Sequence, residues 1–227
     1  MRILAIDTST LRAAIALSGA DDRSPITHGA TEPDRRHGRN LVPAIKALLD
    51  GQGLRPGQLD LIAVGVGPGS YTGLRIGLTA AKTLAFAGGC KLIGLDSLEV
   101  IAAGAPAGAA RVAVVADAQR GDVYAAEFAR GPGGMVRLAP TRIERGDAWA
   151  AGLDPGTLVL GPGLDRLSLP WPEGVQTGTS EEGHPSPASL IALARDATRS
   201  DRRDDPWTLE PAYFRRSAAE DQWDRRT

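Results

Sequence analysis

Four scarcities bound this sequence before any motif is considered. Cys90 is the only cysteine in 227 residues, which excludes an internal disulfide and a cysteine-built zinc site and fits a reducing compartment. Histidine is nearly as rare: His28, His37 and His184 lie far apart, with no pair at the helical spacing that lets two imidazoles share a metal. Net charge is missing too. Lys plus Arg number 26 against 27 Asp plus Glu, so no global field marks a nucleic-acid or membrane binder, and any RNA contact must be local or made by a partner. Long apolar runs are also absent. The start offers only Ile3 to Ile6 before Asp7, too short for the core of an export signal, and Leu74 to Cys90 is broken by Arg75, Lys82 and several glycines. A cytoplasmic protein with no membrane span is expected.

What is present is a chain long for one compact domain and short for two, which predicts two small lobes sharing an interface. Ile3 to Ile6 reads as a buried strand running into the polar turn Asp7-Thr8-Ser9-Thr10, and Ala13 to Leu17 and Pro25 to Thr31 continue it as a meander. Leu41, Val42, Ile45, Leu48 and Leu49 share one helix face, with Asn40 as N-cap, Pro43 in the first turn and Gly51 past the end. Leu59 to Val66 is the next strand, stopped by Gly67-Pro68-Gly69, and a second helix runs from Ser70 or Tyr71 to Gly88-Gly89. Lys91 to Leu95 is a strand and Ser97 to Ala103 a helix capped by Ser97.

The Ala-, Gly- and Pro-rich stretch Gly104 to Ala110 marks the expected boundary, giving lobes at 1–105 and 106–217 and a solvated tail at Ala218 to Thr227. Beyond the boundary, Val112 to Ala116, Val123 to Phe128 and Met135 to Ile143 form a second meander that opens like the first, with an apolar run ending at Asp117. Thr157 to Leu160 is a further strand, ending at Gly161-Pro162-Gly163. Ser189 to Ala197 is the last helix, followed by a charge-rich loop from Thr198 to Asp205.

Two loops carry the candidate chemistry. Gly67-Pro68-Gly69-Ser70-Tyr71-Thr72-Gly73 joins a strand end to a helix N-terminus whose free N–H groups favour an anion. A phosphate site and a structural tight turn both account for it, and it is neither a Walker A loop nor a full dinucleotide fingerprint. Asp7, Thr8 and Ser9 offer the hard oxygens that a phosphate or hydrated magnesium ion prefers, yet Asx and Ser/Thr turns have the same composition without a ligand. Asp117 is the candidate mate, but Gln119-Arg120-Gly121-Asp122 lacks a phosphate-cradling run of glycines. Ser70 sits in no Gly-x-Ser-x-Gly elbow, and His37 reads as a helix-entry residue. Gly73, Gly77, Ala81 and Ala85 recur every four residues, a stripe that lets another backbone come close, either within the chain or across a subunit interface.

Five ordered segments go beyond periodicity: Ile6-Asp7-Thr8-Ser9; His37-x-x-x-Leu41-Val42-Pro43-x-Ile45; Gly65-x-Gly67 through Gly77; Ala80-Ala81-Lys82; and Ala116-Asp117-Ala118-x-x-Gly121-Asp122-Val123-Tyr124. Together with Pro211-x-Tyr213-Phe214-Arg215 they resemble the bacterial TsaB (YeaZ-like) family. The resemblance implies an α/β, actin-like and sugar-kinase-like ATPase (ribonuclease H-like) fold of two βββαβα lobes, the second truncated. It implies a role beside the paralogue TsaD and the ATPase TsaE in placing a threonylcarbamoyl group on N6 of the adenosine next to the anticodon, in tRNAs reading codons that begin with A. TsaD is the catalytic member, and its metal-binding His-x-x-x-His falls here on Asp96 to Ile101, which holds no histidine. A chain with no catalytic residue, no metal and no cofactor of its own is therefore expected.

Under that resemblance Asp7, Thr8, Ser9, Gly67, Gly69 and Ser70 form at most a vestigial phosphate site, with any nucleotide held at a junction shared with a partner. The first-lobe helices of the family mediate association with TsaD and as a homodimer, which places Leu41, Ile45, Tyr71, Gly73, Leu74, Gly77, Ala81 and Ala85 at an interface and leaves tRNA to the complex. Two other readings stand beside it: a kinase or ATPase working through Asp7 and Asp117, and a peptidase of the glycoprotease label, for which no nucleophile is evident.

Overall fold

The apolar runs assemble two mixed sheets with one plan. The computed structural model describes residues 1–21, 25–30 and 37–215; Thr31, the end of the expected third strand, and the expected tail Ala218 to Thr227 lie outside the described residues. In the first lobe β1 (Ile3–Asp7), β2 (Ala14–Ser18) and β3 (Thr27–Ala30) form an antiparallel meander, and α1 (His37–Gly51) leads to β4 (Leu61–Gly67), which pairs parallel to β1. Then α2 (Tyr71–Gly88) leads to β5 (Lys91–Asp96), parallel to β4, and α3 (Ser97–Ala103) follows. The sheet order is β3-β2-β1-β4-β5.

The second lobe repeats this order. Strands β6 (Arg111–Asp117), β7 (Asp122–Gly131) and β8 (Gly134–Arg137) are antiparallel, β9 (Arg142–Arg145) continues along β7, and α4 (Gly146–Ala151) leads to β10 (Thr157–Leu160) and the short β11 (Gln176–Thr177), both parallel to β6. The order is β11-β10-β6-β7-β8, the same arrangement with meander and parallel strands in corresponding places. Turns at residues 162–166 stand where the first lobe has α2, so the second lobe is the shorter one. This is the actin-like, sugar-kinase-like plan.

Continuous apolar strands follow from cover on both faces. Leu4, Ile6, Ile15, Leu17, Ile62 and Val64 pack under α1 and α2, while Ile3, Ala5, Ala16, Leu61, Ala63 and Ile93 pack on Val100 of α3 and on Leu190, Ile191 and Ala194. Each fully buried Leu or Ile stabilises by about 1.5–3 kcal/mol relative to exposure. The last three belong to α5 (Pro187–Arg199), capped by the Ser186 hydroxyl, which accepts from the Ser189 N–H. The chain therefore does not divide in space at residue 105: α5 comes back from the second half and covers the first sheet, because that face of β1 and β2 is apolar and otherwise bare. Helix α3 lies between the sheets, with Val100 toward the first and Leu98, Ile101 and Ala102 toward the second.

Several local expectations need correction. Asn40 lies inside α1, which starts at His37, so Pro43 is an interior residue and not part of the first turn. Asp96, not Ser97, caps α3, its Oδ1 accepting from the N–H groups of Leu98 at 2.9 Å and Glu99 at 3.0 Å. The expected strand from Met135 to Ile143 breaks around Pro140, which has no N–H to give to the ladder. Its two halves still line one edge of β7, as Phe128 opposite Arg137 and Tyr124 opposite Ile143 show.

Candidate functional site

Because β1 and β4 run parallel, the polar turn after one and the glycine turn after the other meet at the same sheet edge. Asp7 is fully buried there. Its Oδ1 accepts from the Ser9 N–H at 2.8 Å and its Oδ2 from the Ser97 hydroxyl at 2.7 Å, and Ser97 Oγ in turn accepts from the Gly67 N–H at 3.2 Å. Burial pushes the Asp7 carboxyl above its ordinary value, while the bonds from Ser9 and Ser97 pull the other way.

The two turns interlock. The Thr8 hydroxyl donates to the Gly73 carbonyl at 2.7 Å, and the Ser70 N–H donates to the Ser9 carbonyl at 2.7 Å. Ser70 Oγ caps α2 by accepting from the Gly73 N–H at 3.2 Å. Glycine is required along this seam, since a Cβ would lie 2.0 Å from Asp7 Oδ2 at Gly65, 2.4 Å from the Ser9 carbonyl at Gly69, 2.1 Å from the Thr8 carbonyl at Gly73 and 2.2 Å from Thr8 Oγ1 at Gly77. The six residues expected at a phosphate site, Asp7, Thr8, Ser9, Gly67, Gly69 and Ser70, are thus brought together, but closed on one another and on Ser97. Ser97 was missed as a functional residue; its signal was the cap position, which Asp96 takes.

The second candidate loop is placed differently. Asp117 Oδ1 accepts from the Gln119 N–H at 2.7 Å, and Gln119, Arg120 and Gly121 all have positive φ, so the β6–β7 hairpin turns through left-handed backbone. The histidines are not gathered: His28 is on β3, His37 opens α1, and His184 lies in the loop before α5 with Nε2 3.9 Å from Asp165 Oδ2. Burial lowers the affinity of His184 for a proton, with Arg12 acting in the same direction and Asp165 against it. Among the described residues no group of three or more His, Cys, Asp or Glu is placed to hold a metal ion.

The small-residue stripe of α2 requires the main correction among the expected interface residues. Gly73, Gly77, Ala81 and Ala85 are all buried within the chain, as are Leu41, Ile45 and Leu74; of the eight, Tyr71 alone is exposed, at 39%. The backbone that the stripe admits is the chain's own Thr8. Between α1 and α2, on the opposite side from the strands, runs a groove of about 750 Å³ lined by apolar groups of both helices. Leu41 and Ile45 form its floor, with Ile76, Ala80 and Leu84, and Val42 stands on its rim 62% exposed. Ile76 and Ala80 are not among the expected interface residues; their signal was apolar character on a helix face away from the main stripe, while Val42, expected on one face with the buried Leu41, Ile45, Leu48 and Leu49, turns outward instead.

Comparisons with known proteins bear on the family. A family model described as TsaD, tRNA N6-adenosine threonylcarbamoyltransferase, matches residues 31–141, a span that takes in α1, α2, α3 and the β6–β7 hairpin. The tRNA threonylcarbamoyladenosine biosynthesis protein TsaB of Bacillus subtilis (strain 168) is 32% identical over 230 residues, covering 98% of this chain and 98% of that one. The chain belongs to the TsaB family. TsaB of Escherichia coli (strain K12) is 38% identical over 137 residues, 60% of this chain and 58% of its own length. The solved structure of YeaZ from Pseudomonas aeruginosa superposes with a TM-score of 0.80 at 26% identity, covering 94% of this chain and 99% of that one. In this TsaB-family chain the segment Asp96 to Ile101 contributes a helix cap and the Ser97 tie to Asp7.

Proposed function

We propose that the chain serves tRNA threonylcarbamoyladenosine biosynthesis in the cytoplasm as a non-catalytic partner of TsaD, acting with TsaE. The observation that carries this reading is the pairing of a closed polar centre with an open apolar groove. At the centre, the Asp7 carboxylate already accepts two hydrogen bonds from the chain and has no exposed surface. The groove between α1 and α2 leaves apolar side chains in water, a state that a docked helix pair relieves.

The matching helices of TsaD occupy the groove in the working complex, forming a helical bundle with α1 and α2; in isolation a second copy of this chain takes their place. The names of the Bacillus subtilis and Escherichia coli relatives place them in the same biosynthesis, and none of the described helices is long and apolar enough to cross a membrane. The kinase-like and peptidase readings find less support, since Asp7 and Asp117 are both engaged by backbone N–H groups and Ser70 is engaged as a helix cap.

The test is reconstitution of threonylcarbamoyl transfer to tRNA with TsaD and TsaE, with and without this chain. Modification is expected only when the chain is present. Full activity without it, or transfer by the chain alone, rejects the proposal.

A further inference from the structure

Residues 204–215 form a strap that crosses from the first lobe to the second. The Asp204 N–H donates to the Leu92 carbonyl at 2.8 Å and the Ala212 N–H to the Val66 carbonyl at 2.8 Å. Arg215 Nη1 then donates to the carbonyls of Ala118, at 2.6 Å, and Gln119, at 3.3 Å, while Nη2 pairs with Asp122. On the way the strap lays Tyr213 against Tyr71, ring centroids 5.0 Å apart, and brings Phe214 within 6.0 Å of Tyr124. Arg75 sits 4.1 Å over the Tyr71 ring and its Nε donates to the Tyr213 hydroxyl at 2.9 Å.

These rings are tied down yet remain open to solvent: Tyr213 is 42% exposed and Phe214 40%. Around the hairpin beside them stand Arg120, Arg145 and Arg166, all exposed. Arg145 reaches the Arg120 carbonyl at 3.0 Å and Asp122 at 3.9 Å, and Arg166 lies 3.8 Å from Asp117. Exposed ion pairs of that length hold a guanidinium loosely, so a phosphate can exchange for the carboxylate. A protein partner would want an apolar floor, but the turn of the hairpin beside the rings exposes Gln119, Arg120 and Gly121. Solvent-exposed rings next to guanidinium groups suit a chain of unpaired bases, which stack on exposed ring surface while their phosphates meet the arginines.

We infer that Tyr71, Tyr213 and Phe214 with Arg120, Arg145 and Arg166 form a contact surface for unpaired tRNA. The nature of the ligand rests on the proposed function, in which tRNA is the substrate of the complex. The surface exists only because the strap lays its own Tyr213 and Phe214, with Tyr71 of the first lobe, beside arginines of the second. It lies at the N-terminal end of α2, beside the groove assigned to the partner, so an RNA held there lies at the edge of the subunit junction.

The experiment measures binding of labelled tRNA by fluorescence anisotropy across a salt series, for the assembled complex and for the isolated chain. The double variant R120E/R166E is expected to bind at least about tenfold more weakly, with the slope of log affinity against log salt reduced by about two, roughly one for each phosphate left without its arginine. Phe214→Ala is expected to weaken binding about tenfold through stacking, with the salt slope unchanged. Co-elution with TsaD should survive in both variants, because neither touches the α1–α2 groove. Unaltered affinity and slope in both variants overturn the inference, as does equal competition by an RNA duplex and a single strand of the same length. Failure of the wild-type chain to assemble with TsaD counts against the proposed function, and the isolated-chain titration still decides this one.

Discussion

The Ser97 hydroxyl donates to Asp7 Oδ2 across 2.7 Å, joining the start of α3 to the end of β1 inside the first lobe. The same oxygen accepts from the Gly67 N–H, so one side chain serves a buried carboxylate and a buried backbone donor together. Ser97→Ala is expected to strand both groups and to destabilise the chain by about 2–6 kcal/mol, at about 1–3 kcal/mol for each unsatisfied polar group. Urea denaturation measures it, and a loss below about 0.5 kcal/mol would show that water takes over the role of the hydroxyl.

Asp7 gives a pH dependence of definite sign. Its pKa in the folded chain is raised above the ordinary 3.8, chiefly by burial. The folded state therefore holds that proton more tightly than the unfolded chain does. The contribution to stability is fully present below 3.8 and is lost as pH rises through the raised value. Asp7→Asn removes the titration while keeping an acceptor for the Ser9 N–H, so the variant should gain on the wild type as pH rises above about 3.8. Parallel denaturation series test this; a constant difference across pH would mean that the carboxyl is not shifted.

Gly77 and Ala80 separate packing from docking. Gly77→Ala drives a methyl to 2.2 Å from Thr8 Oγ1 and must break the Thr8 bond to the Gly73 carbonyl. A stability loss of about 1–3 kcal/mol is expected from overpacking, seen as a lower thermal midpoint. Gly77→Leu should be worse and should leave little folded monomer.

Val42→Arg places charge on the exposed rim of the groove and Ala80→Arg on its half-buried floor, which packs against the core. Stability is expected to change by less than about 0.5 kcal/mol at exposed Val42, while affinity for TsaD falls at least about tenfold through an unpaired charge at an apolar contact. Size-exclusion co-elution and calorimetry give the readout. Undiminished binding in both variants would move the partner interface away from α1 and α2.

Arg215 holds the strap to the β6–β7 hairpin through the Ala118 carbonyl and Asp122. Arg215→Ala is expected to cost about 1.5–3 kcal/mol, the range for hydrogen bonds to charged groups. It should also speed hydrogen exchange in residues 118–122. Exchange unchanged there would show that the hairpin is held by its own turn.

Much of the chain was legible because the relevant signals are local. Ser70 and Gly89 mark the ends of α2 with a side-chain cap and a left-handed glycine, each acting within one turn. The apolar runs at β1, β4 and β6 announce strands covered on both faces, and the repeated opening of the two lobes reappears as two sheets of corresponding order. The short helix α4 carried too few turns to show a period, and the break at Pro140 was hidden by the apolar Leu138 and Ala139 before it and Ile143 beyond it.

Residue order alone determined which segments become strands and helices, which residues share a helix face, and the motif series that marks the family, because these depend on neighbours a few positions apart. Tertiary structure alone decided what each face meets. Periodicity placed Gly73, Gly77, Ala81 and Ala85 on one stripe, but only the fold turned that stripe toward Thr8 and left Val42, Ile76 and Ala80 around an open groove. The return of α5 to the first sheet, the Ser97 tie to Asp7 and the strap from Val66 to Ala118 are likewise contacts between residues distant in the chain. Such contacts are settled by which apolar surfaces and polar groups find cover together, a condition that no local stretch of sequence contains.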